Sequence, residues 1–243
     1  MGTIYAGTSG WAYASWKPGF YPADLSSAKF LFHYATRLNS VEVNYTFGSL
    51  VTDELLRTWI RATPAHFQFA IKAHYSITHV KRLRKAARAA AEFIEAIEPL
   101  RKARKLGPIL FQLPPNLKCD LPLLKAFLVK LPQRTRAAFE FRHTSWFSDD
   151  VYEALRKAHV ALCLAESPKI ETPDVRTTDF SYLRLRKDRY PPKARKELAE
   201  RVARLKRQGD VYVYFKHEET PEGTKYAEKL LKPTKKNQSA IAL

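Results

Sequence analysis

Only two cysteines, Cys119 and Cys163, occur among the 243 residues. They cannot build a disulfide framework, and such sparing use fits a reducing compartment. No apolar stretch approaches the roughly 18 residues that span a bilayer, so no membrane partner is expected. The start, Met1-Gly2-Thr3-Ile4-Tyr5, lacks the charged segment and apolar run of a secretory signal, and a cytoplasmic location is the expectation. No Gly-x-Gly-x-x-Gly or P-loop is present, which removes the common nucleotide-cradling turns, and no His-Glu-x-x-His marks a zinc site. No Ser/His/Asp order is evident. No Gly/Ser linker divides the chain, so residues 1–243 read as one domain, with a flexible tail from about 233 to 243. Acidic residues are scarce: 24 Asp+Glu face 42 Lys+Arg, for a formal charge of +18. That surplus favours anionic partners but speaks to association, not to chemistry. With 45% apolar and 27% charged residues, the chain has an ordinary globular composition.

Short apolar runs alternate with longer amphipathic ones. The patterns predict eight strands: 3–8, 40–44, 67–72, 109–113, 137–142, 161–166, 180–186 and 211–216. Helical periodicity covers 29–38, 53–62, 80–105, 121–131, 149–158, 193–208 and 224–231. Strand-then-helix repetition implies a mostly parallel sheet covered by helices. Eight such units in about 250 residues is the size of a (β/α)8 TIM-like barrel. Between Glu166 and Phe180, Pro168 and Pro173 leave no room for a full helix, so the sixth crossover is expected to be reduced.

Alternation within the strands carries the most information, because successive side chains point to opposite faces. Val41 and Val43 oppose Glu42 and Asn44, and Phe67, Phe69 and Ile71 oppose Gln68, Ala70 and Lys72. Phe139 and Phe141 oppose Glu140 and Arg142, and Leu183 and Leu185 oppose Tyr182, Arg184 and Arg186. Val213 and Phe215 oppose Tyr214 and Lys216. The apolar face suits packing under helices. The other face turns polar toward the strand C-terminal ends, where barrel active sites open. The predicted mouth therefore gathers Glu42, Asn44, Lys72, Gln112, Glu140, Arg142, Glu166, Arg184, Arg186 and Lys216. Three carboxylates meet five permanent cations there, so the cluster compensates itself and still leaves room for an anion.

Thr8-Ser9-Gly10-Trp11-Ala12-Tyr13, followed by Trp16 and Phe20-Tyr21-Pro22, resembles the opening of the domain of unknown function 72 family. The resemblance continues through Val41-Glu42-Val43-Asn44, Ile71-Lys72-Ala73, Ile77-Thr78-His79 and Arg82-Leu83. It runs on through Gly107-Pro108-Ile109-Leu110-Phe111-Gln112-Leu113-Pro114-Pro115 and Phe139-Glu140-Phe141-Arg142-His143, with Ser145-Trp146-Phe147, and closes near Val211–Phe215. The resemblance implies a TIM barrel and supplies no established reaction. Gly48-Ser49 and Arg186 depart from the family's usual aromatic and histidine residues, and the second departure makes the mouth more cationic.

Several chemistries compete for these residues. Glu140 and Glu42 suit a general acid and base, with Lys72 as nucleophile or phosphate contact; alternatively they only orient neighbouring cations. Arg142, Arg184 and Arg186 suit an anion clamp. His74, His79, His143 and His217 follow strands three, five and eight and, with the carboxylates, admit a divalent metal, although loop histidines more often cap or face solvent. No cofactor is expected. Trp11, Tyr13, Trp16, Phe47 and Trp146 serve either as stacking platforms, with Trp11 and Trp146 the best ligand-facing candidates, or as an apolar plug. Gly7-Thr8-Ser9-Gly10 presents backbone N–H groups in a turn that suits an anion. Between Lys81 and Lys105 nine cations face three anions, and 195–207 is likewise basic, so nucleic acid is a second partner class. The leading expectation is a barrel whose mouth binds a phosphorylated or other anionic ligand, with acid–base or hydrolytic chemistry. The alternatives are a non-catalytic nucleic-acid binder and a metal-dependent phosphodiesterase of endonuclease IV-like type.

Overall fold

The computed structural model describes residues 1–133, 135–166 and 170–232. The eight strands are β1 (Ile4–Thr8), β2 (Ser40–Val43), β3 (Gln68–Lys72), β4 (Leu106–Gln112), β5 (Ala137–Glu140), β6 (Ala161–Ala165), β7 (Phe180–Leu185) and β8 (Asp210–Phe215). Between and after them lie α1 (Phe30–Arg37), α2 (Tyr45–Gly48), α3 (Asp53–Arg61), α4 (Ala87–Ala96), α5 (Glu98–Lys102), α6 (Leu121–Leu128), α7 (Asp149–Lys157), α8 (Pro192–Lys206) and α9 (Glu222–Leu231). All strand pairs are parallel, in the order β1-β8-β7-β6-β5-β4-β3-β2. The expected (β/α)8 architecture is present, with no helix among the described residues of the sixth crossover. Residues 167–169 of that crossover and the expected tail at 233–243 lie outside the described residues.

The circle closes at the β1–β2 seam, where a single parallel bridge pairs Ser9 with Glu42. Side chains replace the missing ladder. The Asn39 amide accepts from Ala6 N at 2.9 Å and donates to Ile4 O at 2.8 Å. The Tyr34 hydroxyl accepts from Thr8 N at 2.9 Å and donates to Ser40 O at 3.0 Å. Gly7 is required here because a Cβ would lie 1.9 Å from Ser40 O.

The strand alternation separates two apolar clusters. Outside the barrel wall, Val41, Phe69, Ile71, Phe111, Phe139, Leu183 and Val213 pack under the helices. Inside, Ala70, Ala138, Ala161 and Ala165 face Tyr182, Tyr212 and Tyr214. Small residues on β3, β5 and β6 make room for large ones on β7 and β8, which fills the interior without a channel.

Helix boundaries follow local chemistry. The Thr52 hydroxyl caps α3 by accepting from Leu55 N, with Asp53 and Glu54 in the first turn and Arg61 in the last. Asp120 caps α6 through Leu123 N at 3.0 Å. The single helix predicted over 80–105 is broken instead. A π-helical turn (Ser76–Val80) is followed by left-handed Arg82, Leu83 and Lys85 before α4 begins. Pro99, which cannot continue α4, starts α5 near its N-terminus. Burial of Leu83 in the core is what the left-handed turn achieves.

Candidate ligand-binding site at the barrel mouth

Glu42, Glu140 and Arg184 rise from the interior faces of β2, β5 and β7 into one buried triad. Arg184 donates to Glu42 from Nε at 2.8 Å and from Nη2 at 2.7 Å, and its Nη1 donates to Glu140 Oε2. Glu42 also accepts from Ser9 Oγ at 2.8 Å and from the Tyr182 hydroxyl at 2.7 Å. Gln112 Nε2 donates to Glu140 at 2.9 Å, and Arg186 Nη2 approaches the same carboxylate at 3.5 Å. Burial alone would raise both acids. The Arg184 charge and the hydrogen bonds more than offset it, so Glu42 lies below the ordinary carboxylate range and Glu140 falls to about 2. The two carboxylates are held in their ionised form by these donors, four hydrogen bonds reaching Glu42 and two reaching Glu140, which leaves neither a ready base nor a proton to give.

The cations around the triad are less well matched. Lys72, at the end of β3, holds its ammonium 3.8 Å from the centre of the Phe47 ring on α2. Burial and the Arg184 charge lower its pKa to about 8, against the opposing pull of Glu42 and Glu140. Burial, then the charges of Lys72, Arg142 and Arg82, push His79 down as well. Arg142 and Lys72 have no carboxylate at salt-bridging distance among the described residues. With Glu42 and Glu140 balanced by Arg184 and Arg186, these two cations remain in excess. Near this network, buried Asn44 Oδ1 and Arg186 Nε have no hydrogen-bond partner among the described residues. A buried polar group without a partner costs free energy unless something comes to satisfy it.

Other predicted residues lie apart from the triad. Glu166 accepts from the Tyr190 hydroxyl at 2.6 Å and pairs with Lys187. Lys216 is exposed and lies 3.6 Å from Glu218. The Trp146 ring, expected to face a ligand, is instead a plug: it is 1% exposed, stacks on Phe141 at 4.7 Å and donates to Leu117 O. Trp16 is buried likewise. Trp11 stands edge-on to Trp59 and Tyr13 donates to Ser9 O, both half-buried. His143 caps the following turn by accepting from Ser145 N. The N–H groups expected to form an anion turn are already used: Thr8 N by Tyr34, Ser9 N by Phe215 O and Gly10 N by Glu42 O. Sequence reasoning missed Tyr182 and Ser9 as partners of Glu42. Tyr182 is accessible through its alternation with Arg184; Ser9, just past β1, stands in the Gly7-Thr8-Ser9-Gly10 turn, whose reading points to backbone N–H groups and not to the hydroxyl.

A parallel barrel with a buried Glu–Arg–Glu network beneath a cationic rim defines the class. The chain belongs to the family described as protein of unknown function DUF72, whose model matches residues 5–242. It is similar to the UPF0759 protein YunF of Bacillus subtilis (strain 168), 30% identical over 160 residues. That match covers 62% of this chain and 54% of YunF, about half the relative's length. Among solved structures, a DUF72 family protein from Thermotoga maritima MSB8 superposes with a TM-score of 0.83 at 27% identity, covering 95% of this chain and 100% of that one. A DUF72 family protein from Enterococcus faecalis V583 has a TM-score of 0.80 at 18% identity, with 96% of each chain covered, and speaks to the fold alone.

Proposed function

We propose that the barrel mouth binds a small phosphorylated or otherwise anionic ligand, clamped by Arg142 and Arg186, with Lys72 as the reactive group beside it. The observation that carries this reading is the uncompensated charge of Lys72 and Arg142 beside the orphaned Arg186 Nε. An anion there would satisfy a buried donor and two cations at once, through charge-assisted hydrogen bonds. Glu42 and Glu140, whose carboxylates are engaged by Arg184 and its neighbours, act here as positioning groups that fix Arg184 and Arg186. Lys72, near 8, is the group able to exchange a proton close to neutrality. Titrating phosphate and sugar phosphates calorimetrically at low salt tests the reading. Arg142→Ala is expected to weaken binding about ten-fold or more, the worth of a hydrogen bond to a charged group. Absence of binding to the wild-type protein would remove the reading.

A nucleic-acid reading has one observation of its own. Lys81, Lys85, Lys102 and Lys193 are exposed and have no ion-pair partner among the described residues. The metal-dependent phosphodiesterase reading has less support. Among the described residues no three His, Cys, Asp or Glu side chains cluster to hold an ion, and both mouth carboxylates are committed to Arg184.

A further inference from the structure

We propose that Lys72 forms a Schiff base with a short aldehyde or ketone that carries a carboxylate or phosphate, Arg142 and Arg186 holding that anionic group. The inference rests on the anion-binding reading of the same mouth and adds the reacting bond and the substrate class.

Three features of the mouth support it. The first is the setting of the amine. Lys72 ends strand β3, fixed by its own ladder bonds and by Thr46 Oγ1 donating to Lys72 O at 2.6 Å. Its ammonium lies over the Phe47 face, with no hydrogen-bond acceptor engaged among the described residues. A lysine locked into an ion pair is a poor nucleophile. This one sits beside two carboxylates that Arg184, Tyr182, Ser9 and Gln112 already engage. The second is the surrounding charge. Arg184 and Arg186 stand near the amine, and desolvation among cations favours its neutral form, the attacking species. The third is the vacant hydrogen-bonding capacity beside it. Among the described residues Arg186 Nε is an unpartnered donor and Asn44 Oδ1 an unpartnered acceptor. The first suits the substrate's anionic group and the second a substrate hydroxyl.

The chemistry balances without an outside reactant. The neutral amine of Lys72 adds to the carbonyl carbon, giving a carbinolamine. Its nitrogen loses a proton to solvent and its hydroxyl leaves with a proton as water. The product is a carbon–nitrogen double bond, with one water released for each imine formed and no change in oxidation state. Protonating that imine would stabilise a carbanion at the neighbouring carbon, the step that aldol and decarboxylation chemistry require.

The test incubates the full chain with pyruvate, glyoxylate or dihydroxyacetone phosphate in the presence of cyanoborohydride, and maps the reduced adducts by peptide mass spectrometry. Lys72 is expected to be trapped at least about ten-fold faster than any other lysine, as befits an activated nucleophile among ordinary surface amines. Lys72→Arg, which keeps the charge, should abolish the fast adduct while its circular dichroism stays that of the wild type. Inorganic phosphate in excess, and Arg142→Ala, should each slow the trapping several-fold. Adducts spread evenly over the lysines of the wild-type protein would overturn the Schiff base. If phosphate still binds calorimetrically in that case, the anion site stands and only this inference falls. Selective trapping that ignores both phosphate and Arg142→Ala would overturn the anionic anchoring and keep the reactive lysine.

Discussion

Arg184 carries the most concentrated stake of any single residue. It is 2% exposed and pairs with two carboxylates that are no more exposed than itself. Arg184→Met is expected to cost about 3–5 kcal/mol, because breaking a buried network strands its remaining charges. Urea unfolding at neutral pH measures that loss. The wild-type protein should also lose stability in acid. Glu140 falls from 4.5 to about 2 on folding, so its contribution is complete above pH 4.5 and fades as pH drops toward 2. Lys72 works in the opposite sense. Its pKa drops from 10.5 to about 8, so the folded state sheds the proton first and stability rises with pH across that interval. Lys72→Met removes a charge held at a disadvantage. It should raise stability at pH 7 by up to about 3 kcal/mol, the equivalent of that shift, with the gain vanishing above pH 10.5. Thermal melts at pH 7 and pH 10.5 check this.

At the scale of elements, two places show how side chains complete the backbone. The β1–β2 seam depends on Asn39, Tyr34 and the bare Cα of Gly7. Gly7→Ala would press a methyl into Ser40 O. It should cost about 3 kcal/mol or more, the upper range for overpacking, read as a lowered urea midpoint. Lys105 is buried at the start of the turn into β4, where its ammonium donates to Ile60 O at 2.7 Å, Thr63 O at 2.6 Å and Thr63 Oγ1 at 2.9 Å. The two carbonyls lie in and just after the last turn of α3, and the lysine caps them from 45 and 42 residues away in sequence. Lys105→Met would leave them unsatisfied, for an expected loss of about 1–3 kcal/mol. The broken 80–105 segment belongs to the same scale. Its composition is helical, and only the pull of Leu83 into the core and the placement of Pro99 divide it.

For the whole molecule, the charge of +18 is distributed unevenly in its consequences. Some surface arginines are tied to helix neighbours, as in Arg88–Glu92 and Arg101–Glu98. Such exposed pairs contribute little to stability. The unpaired lysines of the outer surface bear on association. Binding to a single-stranded oligonucleotide, measured by anisotropy, should therefore weaken steeply with added salt. It should respond to Lys81→Gln and Lys85→Gln and ignore Arg142→Ala. Loss with Arg142→Ala alone would move the contact to the mouth.

The barrel is legible in the sequence because its signal is periodic. Eight apolar runs mark the strands, alternation in five of them specifies which side chains face inward, and the parity puts Glu42, Lys72, Glu140 and Arg184 on the interior face. Alternation says which wall a side chain leaves, but not which neighbour it meets across the interior. That Glu42 is saturated by Ser9, Tyr182 and Arg184, that Glu166 turns to Tyr190, and that Trp146 is buried on Phe141 were settled only when distant strands closed into a ring. Local pattern is a property of a few consecutive residues, whereas ionisation, partnering and exposure depend on which atoms the closed ring brings together, as with Tyr182 and Arg184 against Glu42, 140 and 142 positions away.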